Sequence, residues 1–298
     1  MGDFVFRKVL DLGDIPPSWS LVRLAADWNG FPILLFVEGK PPRPDRETVS
    51  ADPWTFTRWY QTPPKAHHAM HFDGNATSTV CFEQSQGLST FHVQPFEDGW
   101  LLGDRRGGRA NLHDRTGRFL RSITLGDASE DLQTTPDGRI WVSYFDEGVF
   151  GSDIGRHGVV CFDGEGNPLF KYADFAEQAG LPLVSDCYAM NAAASGDVWL
   201  NYYTDFPLVH LRNFALEDVW MCFGMLGNAF AVRDRAVVYA RESQLELRRL
   251  LSKDVSDSLA ARDQSGATLL PLPTPHIGFA TRGPNLLLNT GSAIYISL

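Results

Sequence analysis

Cysteine is scarce in this chain, and no two cysteines are close together. Cys81, Cys161, Cys187 and Cys222 stand far apart with no CxxC spacing, which excludes a small disulfide framework and the clustered cysteines of a zinc or redox motif. Each lies beside apolar or aromatic residues. We therefore expect four buried thiols in a cytoplasmic protein.

Long apolar runs and basic clusters are also missing. No window approaches the roughly 18 consecutive apolar residues of a membrane-spanning helix. The 26 Lys and Arg residues against 36 Asp and Glu residues give a formal net charge of −10, and no basic run offsets it. Because Lys and Arg contacts supply much of the affinity for nucleic acids and anionic membranes, neither is expected as a partner. The N-terminal residues lack the basic and apolar segments of a signal peptide, which also favours a cytoplasmic location.

The common catalytic motifs HExxH, GxSxG and GxxxxGK[ST] do not occur, which removes the usual zincin, α/β-hydrolase and P-loop interpretations. His67, His68 and His71 resemble a metal cluster only at first sight. On a strand, His67 and His71 would share a face but lie ~13 Å apart, and His68 would point to the other face. No metal site is predicted there, because zinc ligands must converge on one point.

The composition of the chain and a repeated sequence unit favour β structure. Aromatic residues make up 12% of the chain and apolar residues 44%, and aromatic side chains suit a pleated surface. One unit recurs: a stretch of small residues, a turn, and an apolar strand. Its clearest copies begin at Leu132 (LQTTPDGRIWVSY), Met190 (MNAAASGDVWLNY) and Val93 (VQPFEDGWLL), with weaker copies at Leu24, Ala229 and Phe279.

Six copies at intervals of 38 to 68 residues are typical of propeller blades. Several copies are followed by a second hairpin, so each blade should have four strands. The last copy is one strand short, and residues 3–13 supply a strand before the first copy begins. The sequence therefore predicts an all-β, six-bladed propeller in which the N-terminal strand closes the last blade. Its single domain would cover residues 1–298, with blades at about 20–86, 88–126, 128–177, 184–224, 226–272, and 274–298 plus 3–13.

The turn Thr135-Pro-Asp-Gly-Arg-Ile-Trp-Val142 resembles that of the six-bladed propellers of the NHL and SMP-30-like superfamily. The lactonases of that group bind a divalent metal through a ring of carboxylates and amides, with an Asn or Asp eight residues before the turn glycine. This chain has Glu130 at that position in one copy and Tyr188 in another. Tyr188 departs from the pattern, so the metal site is not carried over. The cofactor stays open, with calcium at Glu130, Asp131 and backbone carbonyls as the remaining divalent-metal alternative.

The repeat alignment places polar residues near the axis. One equivalent position on three innermost strands holds Gln94, Gln133 and Asn191. Near the starts of the innermost strands lie His92, Glu130, Asp131, Tyr188, Asn228 and His276, and at the ends of the second strands lie Tyr144, Asp146 and Tyr202. They form either a ligand site, with Glu130, Asp131, His92 or His276 as acid or base, or the lining of a water-filled channel.

Two long connections, 40–65 and 146–157, fall on the face where the innermost strands begin. The first contains Trp54 and Trp59 and would either cover the channel mouth or pack on its own blade. Our first hypothesis is a propeller that binds a small molecule, a protein or a peptide on this face. The alternative is a small-molecule hydrolase or lyase of the SMP-30-like, lactonase type, with its acid–base residues at the mouth. A scaffold that acts through the blade rims ranks last.

Overall fold

The computed structural model describes residues 6–38, 66–83, 90–221, 224–233, 235–241, 244–250, 265–270 and 278–297. These residues form six antiparallel sheets of four strands each, in the arrangement of a propeller. The prediction of six four-stranded blades is confirmed.

The strands follow the chain from blade to blade. Blade 1 consists of β2 (Trp19–Ala26), β3 (Pro32–Glu38), β4 (Ala66–Phe72) and β5 (Thr77–Glu83). Blade 2 consists of β6 (Thr90–Phe96), β7 (Gly99–Asp104), β8 (Arg109–His113) and β9 (Phe119–Thr124). Blade 3 consists of β10 (Ser129–Thr134), β11 (Ile140–Tyr144), β12 (Val159–Phe162) and β13 (Pro168–Lys171). Blade 4 consists of β14 (Asp186–Ala192), β15 (Asp197–Tyr203), β16 (Leu208–Arg212) and β17 (Ala215–Trp220). Blade 5 consists of β18 (Phe230–Arg233), β19 (Ala236–Arg241), β20 (Gln244–Arg249) and β21 (Ser265–Leu270). Blade 6 consists of β22 (Gly278–Arg282), β23 (Asn285–Asn289), β24 (Ala293–Ser297) and β1 (Phe6–Asp11).

The N-terminal strand closes the ring. β1 runs antiparallel to β24, with Phe6 opposite Ser297 and Asp11 opposite Ala293. Leu12 continues the pairing through a 2.8 Å hydrogen bond from its N–H to the Ser292 carbonyl. This confirms the predicted closure, and it pairs the edge of β24 that would otherwise be free to associate with another chain.

The hydrophobic core lies between the blades. The second strands are buried almost throughout, as in β3 and β11, because each blade is covered on both faces by its neighbours. The outermost strands are more exposed, as in β9, where partly buried or buried side chains alternate with exposed ones. Apolar side chains of neighbouring blades form clusters such as Leu112 of blade 2 with Val142 of blade 3.

The six innermost strands, which we call the A strands, contact one another in a ring: β2, β6, β10, β14, β18, β22 and back to β2. They all start on the same face of the propeller, which we call the mouth face. Short helices lie in the connections around blade 3: α1 (Asp146–Val149) and a 3-10 helix (Ile154–His157) after β11, and α2 (Tyr172–Ala179) after β13.

One expectation about the cysteines is wrong. Cys161 and Cys187 are buried, but the side chain of Cys81 is exposed. Cys81 lies on β5, the outermost strand of its blade, which no neighbouring strand covers on its outer edge. Cys222 lies outside the described residues.

Candidate functional site at the channel mouth

A recess of about 600 Å³ opens on the mouth face and is lined by residues from all six blades. We call it the mouth basin. Its lining residues are Leu21, Val22, Arg23, Leu24, Phe91, Glu130, Asp131, Tyr188, Asn228, Ala229, Gly278, Phe279 and Asn289. Every blade thus contributes to one concave surface at the axis, where ligand sites of this size are usual.

Irregular strand pairing at the mouth explains how several of these side chains reach the basin. In each of blades 1 to 4, the A strand carries one residue more than its partner strand near the mouth. Such a β-bulge leaves one residue out of the ladder and redirects its side chain. The redirected residues are Val22, Phe91, Glu130 and Tyr188, each of which lies eight residues before the glycine of its A–B turn and lines the basin.

Two arginines hold the carboxylates predicted at the mouth. Arg23 Nη2 lies 2.7 Å from Asp131 Oδ1, and Arg105 forms an ion pair with Glu130. The ring of Phe91 lies between the two guanidinium groups, with Arg23 Cζ at 4.7 Å and Arg105 Cζ at 5.3 Å from its centroid. Since both carboxylates are already neutralised, neither is well placed to take a proton from a substrate.

Next to the mouth basin, at the start of β14, lies a carboxyl group that lacks such pairing, that of Asp186, which is not itself among the lining residues. The pKa of the Asp186 carboxyl is raised to about 6, first by burial and then by the nearby carboxylates of Asp146 and Glu130, against the opposing effect of Arg105. The Asp186 carboxyl has no hydrogen-bond partner among the described residues. A carboxyl group with this pKa exchanges its proton near neutral pH, which suits acid–base chemistry.

An aromatic wall stands beside Asp186. The ring of Tyr188 stacks on that of Phe206 with centroids 6.0 Å apart, and Tyr203 follows at 5.4 Å from Phe206. Asp205 and Phe206 hold this wall in place with φ angles of 64° and 45°. Asn213 and Phe214 form a second such pair at the turn between β16 and β17, so consecutive left-handed residues mark the tight hairpin turns of this blade.

A polar network closes the channel below the basin. The side chain of Arg282 is fully buried; its Nη1 donates to Gln133 Oε1 at 2.8 Å and its Nη2 to the Thr134 carbonyl. Gln94 donates to the Ala26 carbonyl at 3.3 Å. Asn191 donates to the carbonyls of Phe230 and Gly283, both at 2.9 Å.

The three amides therefore converge as the repeat predicts, but they satisfy backbone groups of neighbouring blades. A small cavity of about 40 Å³ remains above the network, lined in part by His92, Gln94 and Gln133. That volume suits one or two water molecules rather than a ligand. The basin is thus a recess with a closed floor.

His92 is buried within the fold. Its Nε2 lies 3.0 Å from Ser129 Oγ, which itself lies 3.3 Å from the Asp104 carbonyl oxygen. Burial, reinforced by Arg23 and Arg105, holds the pKa of His92 well below its usual value. The imidazole is therefore neutral at neutral pH.

The structure brings Glu130, Asp131, Tyr188 and Asn228 together at the basin and Gln94, Gln133 and Asn191 together beneath it. It does not bring Tyr144 or Tyr202 there: both are fully buried, with their hydroxyl groups bonded to the carbonyls of Leu125 and Pro182. Asp146 is exposed on the mouth face in the first turn of α1. Trp54, Trp59, the rest of the 40–65 segment and His276 lie outside the described residues.

Sequence reasoning missed Arg23, Arg105 and Asp186. No charged residue recurs from blade to blade at the repeat positions of Arg105 and Asp186, so the repeat alignment did not select them. The one available signal was their position, since Asp186 opens an A strand and Arg105 follows directly after β7.

The metal site of the SMP-30-like lactonases does not fit these residues. The equivalent positions hold Val22, Phe91 and Tyr188, and Glu130 is bound by Arg105. Over the part of the chain that the structure describes, no three His, Cys, Asp or Glu side chains are arranged to hold a metal. Within the same residues, no helix is long and apolar enough to span a membrane.

Comparison with known proteins supports the fold. Residues 159–296 match the model of the YxzG family. No curated protein matches the chain. KlHsv2 with loop 6CD replaced by a Gly-Ser linker is 9% identical with a TM-score of 0.50, over 91% of this chain and 74% of that one.

Two enzymes are among the similar solved structures. Virginiamycin B lyase from Staphylococcus aureus is 10% identical with a TM-score of 0.49, over 97% of this chain and 83% of the lyase. XC5397, a gluconolactonase from Xanthomonas campestris, is 12% identical with a TM-score of 0.45, over 98% and 97% of the two chains. At these identities the likeness concerns the fold, so function has to be argued from the site itself.

Proposed function

We propose that this propeller binds a small polar molecule in the mouth basin. The observation that carries the proposal is the recess of about 600 Å³ into which four consecutive β-bulges turn Val22, Phe91, Glu130 and Tyr188. A pocket of this volume suits a ligand of drug-like or metabolite size. Aromatic rings offer flat apolar contact, and the charged groups fix the orientation of the ligand.

The charges at the basin favour a ligand with both donors and acceptors. Arg23 and Arg105 are engaged by carboxylates on one edge, which holds each guanidinium in place. Asp186 and the hydroxyl of Tyr188 offer further polar groups at blade 4. A neutral or zwitterionic polar molecule matches this distribution better than a purely apolar one.

The test is a thermal-shift and ligand-observed NMR screen of small polar molecules against the full chain. Hits should lose at least tenfold in affinity in Phe91→Ala and Tyr188→Ala, since each removes an aromatic contact of about 1.5 kcal/mol or more. Leu120→Ala, an exposed position on the outer strand β9, is the control and should bind as the wild type does. Hits that bind equally well to all three variants would contradict the proposal.

A second candidate function is an acid–base reaction on the same ligand. It is favoured by the pKa of about 6 at Asp186, which suits this carboxyl to donate or accept a proton near neutral pH. A panel of esters and lactones tests it, because hydrolysis of either class needs such a group. Activity that disappears in Asp186→Asn but persists in Asp98→Asn would support an enzyme. Activity that is equal in both variants would assign the reaction to another site.

Membership of the NHL and SMP-30-like group, a cytoplasmic location and a peptide partner remain further proposals. The propeller fold and the turn at Thr135 support the first of these, and the acidic composition and isolated cysteines support the second. The exposed side chain of Tyr203 beside the basin would suit a peptide.

A further inference from the structure

A second recess, of about 620 Å³, lies on the face opposite the mouth. We call it the blade 4–5 groove. It is lined by Ala193, Ser195, Asp197, Trp199, His210, Arg212, Asp218, Trp220, Val232, Arg233, Arg235, Leu250, Gly283 and Pro284. These residues come from the turn and outer strands of blade 4, from blade 5, and from the turn between β22 and β23.

The charge of this groove is opposite to that of the chain. Its lining has three arginines against two aspartates, whereas the whole chain has a formal net charge of −10. The mouth basin, by comparison, is lined by one arginine, Arg23, against Glu130 and Asp131. An anion is therefore attracted to the groove although the protein as a whole repels it.

One of the two aspartates is neutralised within the groove. Asp197 accepts hydrogen bonds from Ser195 Oγ at 2.6 Å, from His210 Nε2 at 2.6 Å and from Arg212 Nε at 2.9 Å. Ser195 and His210 both bind Asp197 rather than each other, so the three residues are not arranged as a nucleophilic triad. They hold Arg212 in place instead.

Arg212 and Arg235 are each fixed along one edge of the guanidinium group and present the other edge to the groove. Arg212 Nε and Nη2 bind Asp197 Oδ1, at 2.9 and 2.8 Å, which leaves Nη1 to a ligand. Arg235 donates from Nε to the Leu250 carbonyl at 3.1 Å, and its two Nη groups have no partner among the described residues. A guanidinium that is already oriented loses little freedom when it binds an oxyanion.

An aromatic surface adjoins these guanidinium groups. The ring of Trp199 stacks on His210 with centroids 3.8 Å apart and planes at 3°, and Trp220 follows at 6.0 Å from Trp199. Trp199 is only partly buried, although it is one of the largest side chains of the blade. A flat apolar group can therefore pack beside the site of an oxyanion.

We propose that the blade 4–5 groove is a second binding site, which takes a small organic anion. Its phosphate or carboxylate group contacts Arg212 and Arg235, and its apolar or aromatic body packs against Trp199. The site is independent of the mouth basin, which opens on the other face and shares no lining residue with it.

The experiment is isothermal titration calorimetry on the full chain with four probes: phenyl phosphate, benzoate, phenol and benzylamine. We expect binding of one or both anions and weaker or no binding of phenol and benzylamine. The affinities of phenyl phosphate and benzoate, compared with each other, show whether the groove prefers a phosphate or a carboxylate group. Equal binding of phenol and phenyl phosphate, or no binding of either anion, would overturn the proposal.

Substitutions test whether the anion binds in the blade 4–5 groove. Arg235→Gln should weaken anion binding by about tenfold, the loss expected of one charge-assisted hydrogen bond. Arg115→Gln is the matched control, because Arg115 is highly exposed and its ion-pair partner is Asp98 in blade 2. Tyr188→Ala in the mouth basin should also leave anion binding unchanged. Anion binding that falls equally in Arg235→Gln and Arg115→Gln, or that is lost in Tyr188→Ala, would contradict the assignment to this groove.

Discussion

Arg282 Nη1 donates a 2.8 Å hydrogen bond to Gln133 Oε1 and so joins blade 6 to blade 3 across the axis of the propeller. Burial lowers the pKa of Arg282 to about 10, against the opposing effects of Asp131 and Asp27, so the guanidinium still carries its charge at neutral pH. The same group donates to the Thr134 carbonyl. One buried side chain thus holds opposite blades together and closes the floor of the mouth basin.

Arg282→Met should therefore destabilise the protein strongly. The substitution fills the space but leaves the Thr134 carbonyl without this donor, and we expect a loss of about 3 kcal/mol in the free energy of unfolding. Urea denaturation measures it. Arg121→Met, at a half-exposed ion pair on the outer strand β9, should cost less than about 0.5 kcal/mol. Similar losses in the two variants would show that the axial network adds no stability.

Deletion of residues 1–13 should open the last blade. β24 would lose its partner β1, and its unpaired edge should lower the melting temperature and promote association. Differential scanning calorimetry and light scattering measure the two effects. A synthetic peptide of residues 1–13 should restore the melting temperature, and a scrambled peptide should not. A truncated chain that melts like the intact one would contradict the closure of the ring by β1.

Asp186 should make stability depend on pH between about 4 and 6. The pKa of its carboxyl is about 6 in the folded protein and 3.8 for an ordinary aspartate, so the folded state binds this proton more tightly. Stability from this group therefore falls as pH rises through that window. The melting temperature of Asp186→Asn should equal that of the wild type near pH 4 and exceed it at pH 7.

Melting temperatures at pH 4, 5, 6 and 7 measure this difference. Asp98→Asn is the control, because the Asp98 side chain is almost fully exposed and its effect should not change over the same range. A constant difference between Asp186→Asn and the wild type would show that the carboxyl has an ordinary pKa.

His67 is a buried side chain that the fold does not satisfy. Neither ring nitrogen has a hydrogen-bond partner among the described residues, and burial lowers its pKa to about 4. His67→Leu should therefore raise stability at pH 7 by about 1 kcal/mol, since an apolar side chain of similar size needs no partner.

The pH dependence of His67 has the opposite sign to that of Asp186. Between pH 4 and the ordinary value of 6.5, the unfolded chain binds the proton and the folded protein does not. Stability from this group therefore falls as pH drops through that window. Unfolding in urea at pH 5 and 7 should show a larger advantage of His67→Leu at pH 5, and an advantage that does not grow would contradict the account.

The fold could be predicted because the same local pattern recurs six times. A turn glycine such as Gly138, with a φ of 78°, fixes where each A strand ends. Counting back from that glycine placed Glu130 and Tyr188 at one level of the propeller, and the structure places both in the mouth basin. The number of residues between a side chain and the turn glycine therefore predicts its level along the propeller axis.

The chemistry of the site could not be predicted in the same way. Pairing of Arg23 with Asp131 joins residues 108 positions apart in the chain, and the raised pKa of Asp186 depends on burial beside Asp146 and Glu130. Neither relationship leaves a local pattern. Arg282 left only a weak signal, as a charged residue on an inner strand where neighbouring copies hold small or uncharged residues.

Crystals of the full chain soaked in a library of small polar fragments show directly whether the mouth basin binds ligands. We expect bound fragments in the mouth basin, in contact with at least two of the redirected residues Phe91, Glu130 and Tyr188. Fragments in the blade 4–5 groove alone would support only the second site. Well-diffracting soaked crystals in which the accessible basin binds no fragment would contradict the claim that it is the functional site of this propeller.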